Sequence, residues 1–336
     1  MKLSVIMPVF NTKEEFLQAS VKSILQQSFS DFEFIIVDDG SYEGCLDCVK
    51  EFKDPRIKII RNEKNLGVSV SSNRALEIAE GEYIARMDSD DIAMPDRFRL
   101  QIDYMDNHPE VVVCGTACER VGDGHIYTFL KNNIPRAIIC IRLLSGNINL
   151  ANPTTMIRGS VLHDNNLKYD ENIKYALDYA LWTDCAGYGD IKVIPRILLR
   201  YREHDGQVSK AYRAEQKNCD HYVRMKQVKM LGADFSTEEQ EEFLKLYDFN
   251  DKIDLLLLND VINKLEAANN KSNIYEKRYF RYETIRWWLT AIRKSDNPYT
   301  LFFRSLKVKR TWGIINPMCW VYLFKYRELY TTNVSY

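Results

Sequence analysis

The sequence lacks the features that would put it across a membrane, outside the cell or on nucleic acid. A membrane span needs about 20 consecutive apolar residues, and the longest nearly uncharged stretch toward the end, residues 313–324, is shorter and is broken by Asn316-Pro317. The opening residues, Met1-Lys2-Leu3-Ser4-Val5-Ile6-Met7, have neither a long apolar core nor a small-residue cleavage site, so no signal peptide and a cytoplasmic location are expected. Lys and Arg number 46 against 47 Asp and Glu, a net charge of −1, which gives the chain no electrostatic reason to seek nucleic acid. The eight cysteines include one C-x-x-C, Cys45 and Cys48, while the nearest other pair, Cys114 and Cys118, has strand-like surroundings. A second metal knuckle is therefore missing, and reduced thiols are expected rather than a zinc site or a disulfide framework. No G-x-G-x-x-G follows the first strand, where a dinucleotide would need close backbone approach; the turn there reads Pro8-Val9-Phe10-Asn11.

What is present is an alternation of strand and helix signals over the first hundred residues. Leu3 to Val9 reads as a buried strand, and Leu17, Val21, Ile24 and Leu25 follow at helical spacing. Thr12 and Glu15 have the spacing of a capping box, predicting the helix start there. Three further strands are predicted at Phe32–Val37, Ile57–Ile60 and Tyr83–Met87, with helical stretches between them. This order implies an α/β fold with a largely parallel sheet covered on both faces. In such sheets ligands bind beyond the carboxyl ends of the strands, where Asn11, Asp38, Asp39, Asp88 and Asp90 fall. Beyond about residue 213 the pattern turns helical, with Ser236 and Glu239 spaced as a cap and an apolar helix over Ile253–Leu265.

The departure of a nucleoside diphosphate builds negative charge that a divalent cation held by hard oxygen ligands neutralises. Asp88-Ser89-Asp90 offers two carboxylates two positions apart just past a strand. Alone it reads equally as a helix cap or a solvated turn, as does Asp38-Asp39-Gly40-Ser41. Two acidic clusters at the ends of two buried strands of one sheet repel each other, and a cation or nucleotide donors would relieve that repulsion.

These residues carry a family resemblance. SVIMPVFN, FEFIIVDDGS, NLGVSVSSNRALEIAEGEYIARMDSDD and MPDRF, in this order, resemble the family 2 glycosyltransferases of the GT-A fold over roughly residues 1–210. The resemblance implies a GT-A domain over residues 1–212 with a helical C-terminal region over 213–336. It implies that Pro8, Val9, Asn11, Asp38 and Asp39 hold the nucleoside, that Asn73 and Arg74 lie near the donor pocket, that Asp88 approaches the ribose and that Asp90 binds Mn²⁺ or Mg²⁺. The donor implied is a nucleotide-sugar such as a UDP-sugar. The acceptor implied is a glycan, lipid-linked or growing, in assembly of a bacterial surface polysaccharide.

Inverting transfer needs one base opposite the leaving diphosphate. Tyr175-Ala176-Leu177-Asp178-Tyr179-Ala180-Leu181-Trp182 resembles the family's Glu-Asp-Tyr-x-Leu-Trp segment, which gives that role to Asp178. Leu177 stands where relatives carry Glu, so half of the acid pair is missing, and Asp178 also reads as an exposed helix residue or cap. Arg200-Tyr201-Arg202-Glu203-His204 resembles Tyr-Arg-x-His, making His204 a candidate metal ligand beside its alternative as a structural histidine. Asn152-Pro153-Thr154 lacks the His that many relatives place there. Glu283-Thr284-Ile285-Arg286-Trp287 has only a superficial likeness to the Gln-x-x-Arg-Trp of processive synthases, and a single-addition enzyme is expected. The alternatives are a non-catalytic nucleotide-sugar-binding homologue and another nucleotide-dependent transferase.

From residue 277 onward twelve Lys and Arg face three Asp and Glu, and four of the five Trp gather. Trp287, Trp288, Phe302, Phe303, Trp312, Trp320 and Phe324 interleave with basic residues, a pattern suited either to a membrane headgroup boundary or to a packed helical appendage. Peripheral contact with the inner face of the cytoplasmic membrane is the expectation weighed against packing.

Overall fold

In the computed structural model, residues 1–204, 212–246, 253–294, 321, 323–325, 330–332 and 334 are described. The chain divides into two compact units, one formed by Met1–Asn132, Asn149–Cys219 and Tyr330–Tyr336, the other by Asn133–Ile148 and Asp220–Leu329. The division expected at 212/213 thus falls some residues later. An internal segment also joins the helical unit, because Ile141 and Leu144 bury themselves among the C-terminal helices.

The first unit opens with β1 (Leu3–Val9), α1 (Glu14–Leu25), β2 (Phe32–Asp38), α2 (Asp47–Lys50), β3 (Ile57–Arg61), α3 (Val68–Ile78) and β4 (Tyr83–Arg86). β1, β2 and β4 are buried along their whole length, as their continuous apolar runs require. The first three strands and β4 are parallel in the order β3-β2-β1-β4. There follow β5 (Ile92–Ala93), α4 (Arg97–Asn107), β6 (Val111–Arg120), β7 (Phe129–Leu130), α5 (Arg136–Ser145, in the second unit), β8 (Met156–Arg158), α6 (Gly159–Asp164), α7 (Leu177–Cys185) and β9 (Asp190–Tyr201); β7 pairs separately with Tyr330–Thr331, and the other eight strands form the main sheet. Its order is β3-β2-β1-β4-β8-β6-β9-β5, with β8 antiparallel to both neighbours. The parallel half matches the sequence expectation, and the mixed half was not foreseen. Cys114 and Cys118 lie on β6 as buried thiols.

The capping box expected at Thr12 does not form. α1 starts at Glu14 after Lys13, without a side-chain cap, and the Thr12 hydroxyl instead meets the Ser89 hydroxyl at 2.6 Å. A tertiary partner on the acidic loop takes the group that local spacing assigned to the helix end.

The second unit packs α5 with helices over Thr237–Lys245, Leu255–Ser272 and Lys277–Lys294 and with most of the helix over Arg213–Leu231. Ser236 and Glu239 form the expected reciprocal capping box. The helix expected over 253–265 runs over Leu255–Ser272, capped by the Asp254 side chain. Trp287 and Trp288 are 2% and 1% exposed in the core of this unit, so neither faces a lipid surface. Glu283 is fully buried and takes the Arg142 and Arg286 guanidinium groups at 2.6 Å each, so the stretch resembling a synthase motif is a core ion triad. Phe302, Phe303, Trp312 and Trp320 lie outside the described residues, and Phe324 is exposed. No helix among the described residues is long and apolar enough to cross a membrane.

Candidate active site

Three strand ends build the site. Beyond β1, Asn11 adopts a left-handed backbone with φ 49°; its N–H donates to Ser41 Oγ at 3.0 Å and its Oδ1 accepts the Tyr42 N–H at 3.0 Å. The turns after β1 and β2 are thereby laced together, with Pro8 and Val9 in register with Val37 and Asp38. Two exposed aromatic side chains, Phe10 and Tyr42, lie beside this junction. Gly40 has φ 71°, and a Cβ there would come within 2.4 Å of the Lys64 backbone, so the Asp-Asp-Gly-Ser turn closes only with glycine.

The two acids of that turn are largely committed inside the protein. Asp38 Oδ1 accepts the Ser41 N–H at 2.9 Å, and its Oδ2 lies 3.4 Å from Arg61 Nε. Asp39, 1% exposed, accepts from Asn62 Nδ2 (2.7 Å), the Leu66 N–H (2.8 Å) and the Gly67 N–H (2.8 Å). A carboxylate has about four acceptor sites, so Asp39 first fixes the loop that starts α3 and keeps little capacity for a base. Arg74 bonds Asn62 Oδ1 and so borders the same cluster. Asn73 is placed differently from the expectation of a donor-pocket residue. Its amide nitrogen donates to Tyr169 O and Glu171 Oε1 at 2.9 Å each, and its oxygen accepts the Tyr169 N–H at 3.0 Å, so the side chain clamps the 169–171 segment onto α3.

Past β4 the acidic loop is surrounded by arginines. Arg86, the last residue of β4, aims Nε (3.1 Å) and Nη2 (2.9 Å) at Asp88 Oδ1 and Nη1 at Ser72 Oγ (2.8 Å). Arg97 is completely buried at the start of α4, where it donates to Arg86 O at 2.8 Å and to Gln101 Oε1 at 3.0 Å. Its burial drags the guanidinium down to about 10, against the pull of Asp91 and Asp88. The mutual repulsion of the acids is therefore already offset in part by two resident cations, Arg86 and Arg97, whose roles motif spacing alone does not reveal.

Asp90 and His204 come together: Oδ2 and Nε2 are 2.9 Å apart, on the acidic loop and just past β9. Burial, then the Asp88 charge, raises the Asp90 carboxyl above its usual range, with His204 pulling the other way. Arg202 fastens the two segments, donating Nε to Asp90 O (2.8 Å) and its N–H to Asp91 Oδ1 (2.9 Å), with its guanidinium 4.2 Å from the Phe16 ring centre. Among the described residues no group of three or more His, Cys, Asp or Glu is arranged as a complete cation cage. One carboxylate and one imidazole, with excess negative charge beside them, nevertheless fit a cation that keeps waters and takes phosphate oxygens for its remaining positions.

Asp178 sits in the first turn of α7, which follows Ala176 in the left-handed region at φ 58°. Its Oδ1 accepts the Tyr179 N–H at 2.8 Å. Although the residue keeps some exposure, desolvation pushes the carboxyl up to about 6; the Tyr179 N–H lowers it, and the negative charge of Asp88 raises it further. The fold thus brings Asp178 within electrostatic reach of Asp88 and Arg86, from a position ninety residues away in sequence. A carboxylate with its pKa near 6 is poised to accept a proton at neutral pH.

An α/β sheet with an acidic loop beyond its carboxyl edge is the architecture of a ligand-binding α/β enzyme fold. More specifically, the chain belongs to the family 2 glycosyltransferases: residues 4–164 match the family described as Glycosyl transferase family 2. An uncharacterised glycosyltransferase of Methanocaldococcus jannaschii is 34% identical over 206 residues, covering 60% of this chain and 70% of that one. The Escherichia coli UDP-Glc:alpha-D-GlcNAc-diphosphoundecaprenol beta-1,3-glucosyltransferase WfgD is 39% identical over 103 residues, covering 31% of this chain and 40% of that one. The crystal structure of Staphylococcus aureus TarS 1–349 with UDP-GlcNAc superposes with TM-score 0.58 at 20% identity, covering 87% of this chain and 90% of that chain, a likeness of fold. The fold is of the GT-A type, and the chain is a glycosyltransferase.

Proposed function

We propose that the protein is an inverting glycosyltransferase that moves a sugar from a UDP-sugar to a hydroxyl of a lipid-linked or growing glycan in surface polysaccharide assembly. The observation that carries this reading is the convergence of Asp178, with its raised pKa, on the Arg86–Asp88 pair. Asp178 takes the proton of the acceptor hydroxyl, the acceptor oxygen bonds to the anomeric carbon, and the bond from that carbon to the diphosphate breaks, its electron pair leaving with the nucleoside diphosphate. Attack opposite the leaving group inverts the anomeric centre. The turn of Pro8, Val9 and Asn11, with Asp38 and Asp39 bracing it, receives the nucleoside, and Arg74 borders that pocket. Asp88, oriented by Arg86, approaches the ribose. Asp90 and His204 would hold Mn²⁺ or Mg²⁺, which supplies Lewis-acid stabilisation of the departing diphosphate. The lipid-linked acceptor is supported by the similarity to WfgD, whose name specifies a diphosphoundecaprenol acceptor. Contact with the inner face of the cytoplasmic membrane then rests on the basic and aromatic residues beyond 294, since Trp287 and Trp288 are core.

Thermal protection by UDP-, GDP- and dTDP-sugars, with and without Mn²⁺, tests the reading. Protection by a UDP-sugar only when Mn²⁺ is present, followed by UDP release on adding glycan acceptors, is expected. Metal-dependent binding with no release under any acceptor would favour a non-catalytic homologue.

A further inference from the structure

Tyr169 is 1% exposed, and its hydroxyl has no hydrogen-bond partner among the described residues. A buried hydroxyl left unpaired costs about 1–3 kcal/mol, and phenylalanine would fill the same space without that cost. The residue is not loosely placed. Asn73 binds both its backbone N–H and its C=O, so the ring is held from the side of α3. The charged and titratable groups that act on the phenol are Arg86, Asp178, Asp88 and Cys185. Among these the carboxylates are the natural acceptors for an O–H. Asp88 Oδ1 already receives two N–H groups of Arg86, whereas Asp178 Oδ1 receives one backbone N–H at its own helix start.

Resting on the reading of Asp178 as the base, we infer that Tyr169 is a positioning residue whose hydroxyl meets the Asp178 carboxylate when that carboxylate turns toward the acceptor. The phenol donates a hydrogen bond to the ionised carboxylate, favouring the charged form that accepts the proton.

The test is Tyr169→Phe, which removes one oxygen and keeps the ring. UDP release from the UDP-sugar that the wild type turns over, with Mn²⁺, is followed across pH 5 to 8.5 beside thermal unfolding of the full chain. The expected result is a fall in kcat of roughly tenfold, an upward shift in the acidic limb of kcat/KM, unchanged KM for the donor, and a Tm equal to or above wild type. Wild-type kcat and pH profile in the folded variant would overturn the inference. So would a lowered Tm, because it would show the hydroxyl already paired in the resting fold; this arm needs no substrate. Asp178→Asn keeps the two levels apart. If that variant stays active the base assignment itself fails, whereas an inactive Asp178→Asn beside a wild-type-like Tyr169→Phe sinks the positioning role alone.

Discussion

Asp178→Asn should make the protein more stable at neutral pH while removing most of its activity. In the folded chain the Asp178 carboxyl is raised from 3.8 to about 6. The sign follows from linkage. Below the unfolded value both states hold the proton and the group has no effect. As pH rises through the folded value the ionised form is forced into a desolvated place beside Asp88, and stability present in acid is lost. A shift of about two units at about 1.4 kcal/mol each sets an upper bound near 3 kcal/mol. Partial exposure of the residue reduces this to roughly 1–3 kcal/mol. Asparagine carries no charge and keeps an oxygen for the Tyr179 N–H, so it escapes the penalty. At roughly 2–4 °C per kcal/mol for a unit of this size, the variant should melt several degrees above wild type at pH 7.5. The two should converge only as pH falls below the unfolded value of 3.8. Thermal unfolding of both proteins across that range is the assay, with UDP release as the companion measurement. The rate should fall on the order of a hundredfold or more, as for loss of a general base, while donor binding persists. A melting difference that does not change between pH 4.5 and 8 would refute the desolvated-carboxylate argument. Collapse of donor binding together with activity would make Asp178 a donor contact.

Asp90→Asn should abolish the Mn²⁺-dependent part of thermal protection by nucleotide-sugar, since an amide holds no charge against the cation; undiminished protection would remove Asp90 from the metal site. Arg97→Met should destabilise the first unit by about 3–5 kcal/mol, because it leaves Asp91 and Asp88 without the buried cation beneath them; urea unfolding within 1 kcal/mol of wild type would contradict that. Asn73→Ala removes three hydrogen bonds to the 169–171 segment and should cost about 1–3 kcal/mol, with faster amide exchange at Tyr169. Unaltered exchange would show that the clamp is redundant. For the membrane reading, the full chain should sediment with anionic but not neutral liposomes, and replacing Lys307, Lys309 and Arg310 by Ser should weaken this; equal sedimentation of both proteins would end it.

The parallel half of the sheet was legible because each buried strand is a continuous apolar run ending in a polar turn, and the turns carry the acids. The meeting of Asp90 with His204 was legible only through the resemblance, since 114 residues separate them. What spacing could not convey was how side chains divide their hydrogen bonds. Thr12 leaves its helix for Ser89, and Asn73 spends its whole amide on a loop almost a hundred residues on. Arg86 and Arg97 lie inside the blocks that carry the resemblance, but nothing in their spacing shows that both are buried beside the acidic loop. For Trp287 and Trp288 the same limit holds: composition is identical whether they face lipid or a helical core, and packing places these two in the core.

The burial of α5 among the C-terminal helices has a consequence in time. Ile141 and Leu144 leave the ribosome early, but their partners Trp287, Trp288 and Ala291 follow roughly 140 residues later. At roughly 5–20 residues per second, α5 waits about 7–30 s with its apolar face and Arg142 uncovered. The Asn133–Ile148 segment therefore cannot settle while the later strands β8 and β9 are being synthesised. A chain cut before residue 277 would keep that face open permanently, so newly made or truncated protein is the form that should bind chaperones most strongly, even though every residue of the acid loop and the base is already in place.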